Sequence, residues 1–335
     1  MKRLRLGVIG CGDISKYVLL FARLNRHIQV VGCADIDFER ANRYASWFKG
    51  ARAYDDYIKM ISELDLDAAY LAVPHNLHFP IMKDLIEKNI HILCEKPITI
   101  SLEEAIYIVD FAESKDVKIG INYQYRYDKA CYRLAMAAQK GELGEIYYGI
   151  CNIPWYRDDS YFKNSSWHKN IESSGGGTLL TQGSHALDIL LWACNSKPVK
   201  AQGMIKNMKF RDVEVEDLAM GIIELENGTV LQVTSSMAAL PEQSVTINLY
   251  GSKGTAIYRG PSFPRVKFKS AKVSRHRLNV FGLHALDRSL RAFTRWVLKG
   301  DIKYHITGRE AISVLSSILS IYESAKTGEV EKVKL

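Results

Sequence analysis

"LGVIGCGDIS", residues 6–15, decides the fold. Residues 6–9 are an apolar run of strand length that breaks on two glycines before a helical pattern begins at Ser15. Gly10 permits a tight turn and Gly12 lets a ligand approach the backbone, as a pyrophosphate-binding turn requires. Ser15 stands where the third glycine of the dinucleotide fingerprint would be and is small enough for close helix packing. Gly10, Gly12, Asp13 and Ile14 are therefore candidate cofactor-binding residues.

Outward from this turn, strand-like runs at 28–34, 68–73, 90–94 and 118–121 alternate with helical patterns at 15–24, 38–48, 79–88 and 102–114. That alternation predicts a doubly wound parallel sheet over residues 1–122. The second strand ends in "CAD", which puts Asp35 about 20 residues beyond the glycine turn, where a ribose-binding acid is expected. A carboxylate there accepts from ribose hydroxyls and repels a 2′-phosphate, so NAD is favoured over NADP. Arg40 argues the other way, since an arginine can accommodate that phosphate.

Residues 123–335 read differently. A helix at 128–140 is followed by strand-like segments at 146–154, 199–206, 218–225, 230–236, 244–251 and 255–259, with turn signals "ENG" and "GSKG" between them. A largely antiparallel sheet is expected. Two helices, 283–298 and 309–326, close the chain. In the first, Leu286, Leu290, Phe293 and Val297 form an apolar face, and Arg288, Arg291, Arg295 and Lys299 a wet one.

The chain has 335 residues, 47% hydrophobic and 24% charged, which suits two globular domains and shows no sign of disorder. Its start resembles a signal peptide, but the apolar stretch is short and runs into Asp13, so a strand is the reading. The longest stretch without Asp, Glu, Lys or Arg, 68–82, is shorter than the ~20 residues of a spanning helix. No membrane segment is expected. Six cysteines without a close pair point to a reducing, cytoplasmic setting. The net charge of +8 is compatible with nucleic acid, an anionic surface or an anionic small substrate. Arg265, Lys267, Lys269, Lys272, Arg275 and Arg277 form the densest basic stretch, but it lacks a nucleic-acid-binding motif and reads as a solvated edge.

Three further segments carry chemistry. "AVPHNLH", 72–78, follows the third major strand, so Val73, Asn76 and His78 are candidates to line a cofactor crevice. His75 and His78 stand three apart without a cysteine or a second histidine pair, and no metal is expected. "HILCEKPIT", 91–99, ends an apolar strand on Glu95, Lys96 and Pro97 at the same edge. A lysine of ordinary pKa, ~10.4, is a poor base at neutral pH, but partial burial lowers it and lets it exchange a proton with a hydroxyl. Pro97 fixes the turn, with a cis peptide as one form. The competing reading is a solvated Glu95–Lys96 ion pair. Asn122, after the last strand, joins Glu95 and Lys96 as a cofactor-lining candidate.

"GGGTLLTQGSHALDILLW", 175–192, allows close backbone approach at Gly175, Gly176 and Gly177. Thr181, His185 and Asp188 follow at spacings that share one helix face.

Together these features resemble the Gfo/Idh/MocA family of sugar oxidoreductases over nearly the whole chain. The likeness rests on the glycine turn, Asp35, "EKP" at 95–97, "GELGEI" at 141–146, "GGG…GSHALD" at 175–188 and "YESAKTGE" at 322–329. It implies an amino-terminal Rossmann domain and a carboxy-terminal α/β domain whose open sheet forms homodimers or homotetramers. It also implies that Lys96 and His185 match the catalytic lysine and histidine. Many polyol-oxidising members carry an aspartate four residues before the histidine, where this chain has Thr181, followed by Gln182. "WYRDDSYFKNSSWHKN", 155–170, looks like the substrate-facing segment of members acting on nucleotide-linked sugars. Tyr156, Arg157, Trp167, Thr181 and Gln182 thus join Lys96 and His185 as substrate-binding candidates. The expectation is an NAD-dependent dehydrogenase acting on a secondary hydroxyl of a nucleotide-linked hexose, or reducing the ketosugar. An inositol-type dehydrogenase, a glycosidase using NAD transiently and a non-enzymatic NAD-binding regulator are the alternatives.

Overall fold

The computed structural model describes residues 2–163, 165–300 and 306–335, and the chain divides into two compact units. Met1–Gln124 and Val280–Arg309 make the first; Tyr125–Asn279 and Glu310–Leu335 make the second. The segment Val280–Arg309, which the sequence reading groups with residues 123–335, belongs to the first unit because its helix Ala285–Lys299 packs on the helix Asp13–Arg23 and on the first strand.

Six parallel strands run through the first unit: β1 (Leu4–Ile9), β2 (Ile28–Ala34), β3 (Arg52–Tyr54), β4 (Ala68–Leu71), β5 (His91–Cys94) and β6 (Ile119–Ile121). Their order, β3-β2-β1-β4-β5-β6, is that of a doubly wound dinucleotide-binding sheet. β1 is paired on both edges and covered on both faces, which is why Leu4, Leu6 and Val8 are fully buried and the run reads as continuously apolar. The helix Leu102–Ser114 starts where Ser101 accepts the Glu104 N–H, and it buries Ala105, Ile108, Val109 and Ala112. In this sheet and the helices beside it, β3 and the helix Tyr57–Glu63 were invisible in the sequence. A three-residue edge strand has no periodicity to read.

In the second unit eight strands form one sheet. They are β7 (Ile146–Pro154), β8 (Pro198–Lys206), β9 (Leu218–Leu225), β10 (Val230–Ser236), β11 (Val245–Gly251), β12 (Gly254–Gly260), β13 (Arg265–Lys269) and β14 (Glu331–Lys332). The order is β13-β12-β11-β7-β10-β9-β8-β14, antiparallel except for β7 beside β10. One face buries Cys151, Ile223, Val233, Ile247 and Leu249, with the helix Ser184–Cys194 packed on it. The other leaves Tyr148, Met204, Met220 and Ile222 exposed. The basic stretch begins as β13, an edge strand with Arg265, Lys267 and Lys269 in solvent, while Phe268 lies under the Arg133 guanidinium. Among the described residues no helix is long and apolar enough to cross a membrane.

One residue departs from its expected face. Arg288 is buried rather than wet; its Nε donates to the Gly282 carbonyl at 3.3 Å, where the chain folds back before the helix.

Candidate active site

The glycine turn is built to leave space on one side and none on the other. A Cβ at Gly10, where φ is +87°, would lie 2.1 Å from the Ala72 carbonyl oxygen, so only glycine fits. A Cβ at Gly12 would meet nothing within 4 Å. Gly12 is also the N-cap of the helix Asp13–Arg23, and no side chain caps it, which leaves the helix N–H groups directed at that open space. Ser15 buries its hydroxyl on the Gly10 carbonyl at 2.6 Å. At the end of β2 the Asp35 carboxylate accepts from Cys11 N at 2.6 Å and from Asp37 N at 2.9 Å, so it is held beside the turn. Arg40 is exposed and paired with Asp37 at 3.0 Å. An open glycine, an uncapped helix start and an oriented carboxylate fit a dinucleotide. Ile36, 99% exposed next to Asp35, was missed; a solvent-facing isoleucine at a strand end is its only signal.

The edge beyond β4 divides into lining and support. Val73 is partly exposed and Asn76 exposed, but His78 is fully buried. Its Nδ1 lies 2.7 Å from the Pro97 carbonyl and its Nε2 3.1 Å from that of Val73, and burial pushes its pKa down to about 4. A neutral imidazole carries one N–H, so His78 donates to one of these carbonyls while its ring packs between the 73–74 and 96–97 turns.

That second turn answers why a core strand ends on charges. Glu95 is buried and accepts from the Tyr70 hydroxyl at 2.7 Å and the Asn122 amide at 2.6 Å; Asn122 in turn accepts from Ser289 at 2.7 Å. This is a satisfied interior carboxyl, and a solvated ion pair does not describe it. Burial pushes Glu95 up from its ordinary pKa, against those hydrogen bonds. Lys96 follows on a cis peptide to Pro97 and stays partly accessible. Burial pushes its pKa down to about 8, and the Glu95 charge opposes that. Lys96 is thus a base within reach of neutral pH. Asn122, buried and bonded to Glu95, supports that carboxyl.

In the second unit, Leu179–Gly183 form a π-turn that runs into the helix Ser184–Cys194. Thr181 donates to the Gly177 carbonyl at 2.6 Å. His185 is 7% exposed and stacks on Tyr125, ring centroids 5.0 Å apart. Asp188 serves another purpose: fully buried, it takes Arg126 Nε at 2.9 Å and Nη2 at 2.7 Å, with Arg126 also 3.4 Å from Glu310. It does not extend a Thr181–His185 polar face. Tyr161, unremarked in the sequence, engages both Thr181 and Gln182 through its hydroxyl and stacks on His168 at 5.1 Å. Trp167 also stacks on His168, with ring centroids 3.7 Å apart. Arg157 lies over Trp155 at 5.0 Å and Tyr161 at 5.9 Å, and pairs with Glu242 at 3.0 Å. Tyr156 carries the Lys209 ammonium 3.9 Å above its ring. Asn164 lies outside the described residues; Lys163 and Lys169 are exposed.

Comparison with known proteins agrees with this architecture. Residues 4–123 match the family described as "Oxidoreductase family, NAD-binding Rossmann fold", and residues 133–257 match "GFO/IDH/MocA C-terminal domain". The chain is 22% identical to 1,5-anhydro-D-fructose reductase of Ensifer adhaerens, with 98% of each chain covered. It is 24% identical to D-xylose 1-dehydrogenase (NADP(+)) 2 of Haloferax volcanii, covering 96% of this chain and 97% of that one. Among solved structures, the WlbA dehydrogenase of Bordetella pertussis, in complex with NADH and UDP-GlcNAcA, superposes with a TM-score of 0.89 over 100% of both chains at 24% identity.

Proposed function

Since the chain belongs to the Gfo/Idh/MocA family and is an NAD(P)-dependent oxidoreductase with a Rossmann domain, we propose that it oxidises a secondary hydroxyl of a nucleotide-linked hexose with NAD, or reduces the matching ketosugar. The observation that carries the chemistry is Lys96: partly buried, at a strand end, with a pKa near 8. Near that pH about half of the amine is neutral and able to take a proton.

Gly10, Gly12, Asp13 and Ile14 would hold the cofactor pyrophosphate, Asp35 its adenosine ribose, and Ile36 its adenine. Val73 and Asn76 would line the nicotinamide side. When bound, NAD supplies the hydride acceptor. Lys96 takes the hydroxyl proton in oxidation and returns it in reduction. His185, fixed by stacking on Tyr125, orients the hydroxyl, and Thr181, Gln182, Tyr156, Arg157 and Trp167 would shape the sugar site. Thr181 cannot relay a proton as a carboxylate does, which supports a sugar nucleotide over inositol. The WlbA likeness supports the same substrate class. The exposed sheet face bearing Tyr148, Met204, Met220 and Ile222 supports self-association into a dimer or tetramer.

Lys96→Ala tests the reading. Turnover should fall by about 10²- to 10⁴-fold while NAD affinity stays nearly unchanged, and His185→Ala should cost less. Retention of most activity in Lys96→Ala would remove Lys96 from the mechanism.

A further inference from the structure

The π-turn that carries Thr181 and Gln182 into His185 is held from a distance. Gly177 N donates to Glu216 Oε2 at 2.7 Å and Leu179 N to Glu216 Oε1 at 2.9 Å. The Tyr322 hydroxyl donates to the same Oε1 at 2.9 Å, since an ionised carboxylate can only accept, and its oxygen accepts from Leu180 N at 3.3 Å. Thr178 N takes the Glu216 main-chain carbonyl at 2.9 Å. The glycines before the turn make this approach possible: a Cβ at Gly177 would lie 1.9 Å from Glu216 O, and one at Gly176 2.4 Å from the Tyr322 hydroxyl. Glu216 is 4% exposed. Three donors converge on it, and each is bound more strongly by the ionised carboxylate than by the neutral acid, so protonation weakens the whole arrangement.

We propose that Glu216 is a positioning residue whose carboxylate holds the 179–183 turn in the form that presents Thr181 and His185, and whose protonation releases that turn. The inference rests on the reading that those two residues meet the substrate. Burial pushes the Glu216 pKa up to about 7, against the hydrogen bonds from Leu179, Gly177 and Tyr322. Tyr322 is the titratable group facing it and is itself pushed further up by burial and by Glu216. The adjacent Asp217 turns away, accepting from the backbone N–H groups of Met208, Lys209 and Phe210.

The sign follows from the competent form being ionised. For oxidation, log(kcat/KM) against pH should rise with slope one up to the Lys96 ionisation near 8 and steepen to slope two below about 7, where Glu216 protonates as well. Tyr322→Phe removes one donor that favours the carboxylate, so the steep region should extend about one unit higher in pH. Glu216→Gln should abolish the steepening, because its amide cannot protonate. A substrate-free arm uses the intact protein: amide exchange of 177–183, corrected for intrinsic pH dependence, should accelerate on acidification in wild type, and from a higher pH in Tyr322→Phe. NAD affinity, set in the other unit, should not change. If exchange protection of 177–183 is the same on both sides of pH 7 and Tyr322→Phe leaves its onset unmoved, Glu216 is only a structural cap. That outcome is separable from a wrong substrate assignment, which would silence the kinetic arm and leave the exchange arm intact.

Discussion

Asn122 donates a 2.6 Å hydrogen bond to Glu95 Oε1, the oxygen that also accepts the Tyr70 hydroxyl. A glutamine at 95 can keep both bonds through its carbonyl oxygen while removing the charge. That charge raises the Lys96 pKa against the larger effect of burial, which has brought it down to about 8. In Glu95→Gln the Lys96 pKa should therefore fall further. Oxidation requires the neutral amine, so the rise of kcat/KM with pH should shift to lower pH, read by NADH absorbance. A limb that stays in place or moves upward would mean that Lys96 is not the titrating base.

Asp188 should behave as a structural residue. Its bidentate pairing with Arg126 is fully buried, and removing Asp188 takes away the two closest acceptors of a buried guanidinium and leaves the longer contact to Glu310, at a cost approaching about 3–5 kcal/mol. Asp188→Ala should lower the urea midpoint accordingly. A variant of unchanged stability with lost turnover would return Asp188 to the catalytic face.

What the sequence disclosed and withheld divides along physical lines. The strand before Gly10, the acid at Asp35 and the strand ending on Lys96 were legible because each is a local pattern tied to a sheet edge. The eight-stranded sheet was legible from its turn signals, except for β13, whose basic alternation read as surface, and the two-residue β14. The supports were not legible. Glu216 reaches Gly177 across 39 residues and Tyr322 reaches Glu216 across 106, and no local periodicity encodes such pairings. The π-turn lies between Thr181 and His185, so i, i+4 arithmetic does not carry across it, while Asp188 shares the regular helix with His185 and is set apart by its buried pairing with Arg126. His78 looked like a lining residue because spacing shows that it stands at the crevice edge but not that its ring points inward.

NAD should bind at least tenfold more tightly than NADP. Asp35 is fixed by two backbone N–H groups where a 2′-phosphate would come, and Arg40 is drawn to Asp37 instead. Titration of both cofactors against intrinsic fluorescence measures the ratio. Asp37→Asn should narrow it by freeing Arg40. Equal affinity in wild type would mean that Arg40, despite its pairing, governs the pocket.

The substrate prediction turns on Arg157. Its guanidinium lies over Trp155 and Tyr161, and Tyr161 engages Thr181 and Gln182, so Arg157 is placed to meet an anionic group on a substrate lying along that face. Glu242 already pairs with it at 3.0 Å, and an incoming diphosphate must compete with that carboxylate. A nucleotide-linked hexose should be turned over better than free glucose or inositol, with a KM that rises with added salt. Glu242→Gln should lower the KM for the nucleotide sugar several-fold and leave the KM for neutral polyols unchanged. Arg157→Gln should do the reverse to the charged substrate alone. NADH absorbance across a panel of nucleotide sugars, sugar phosphates and polyols at two salt concentrations reads all three. If polyols are preferred, salt has no effect and Glu242→Gln is silent, the Arg157–Glu242 pair is a surface ion pair and the polyol-type reading replaces the nucleotide-sugar one.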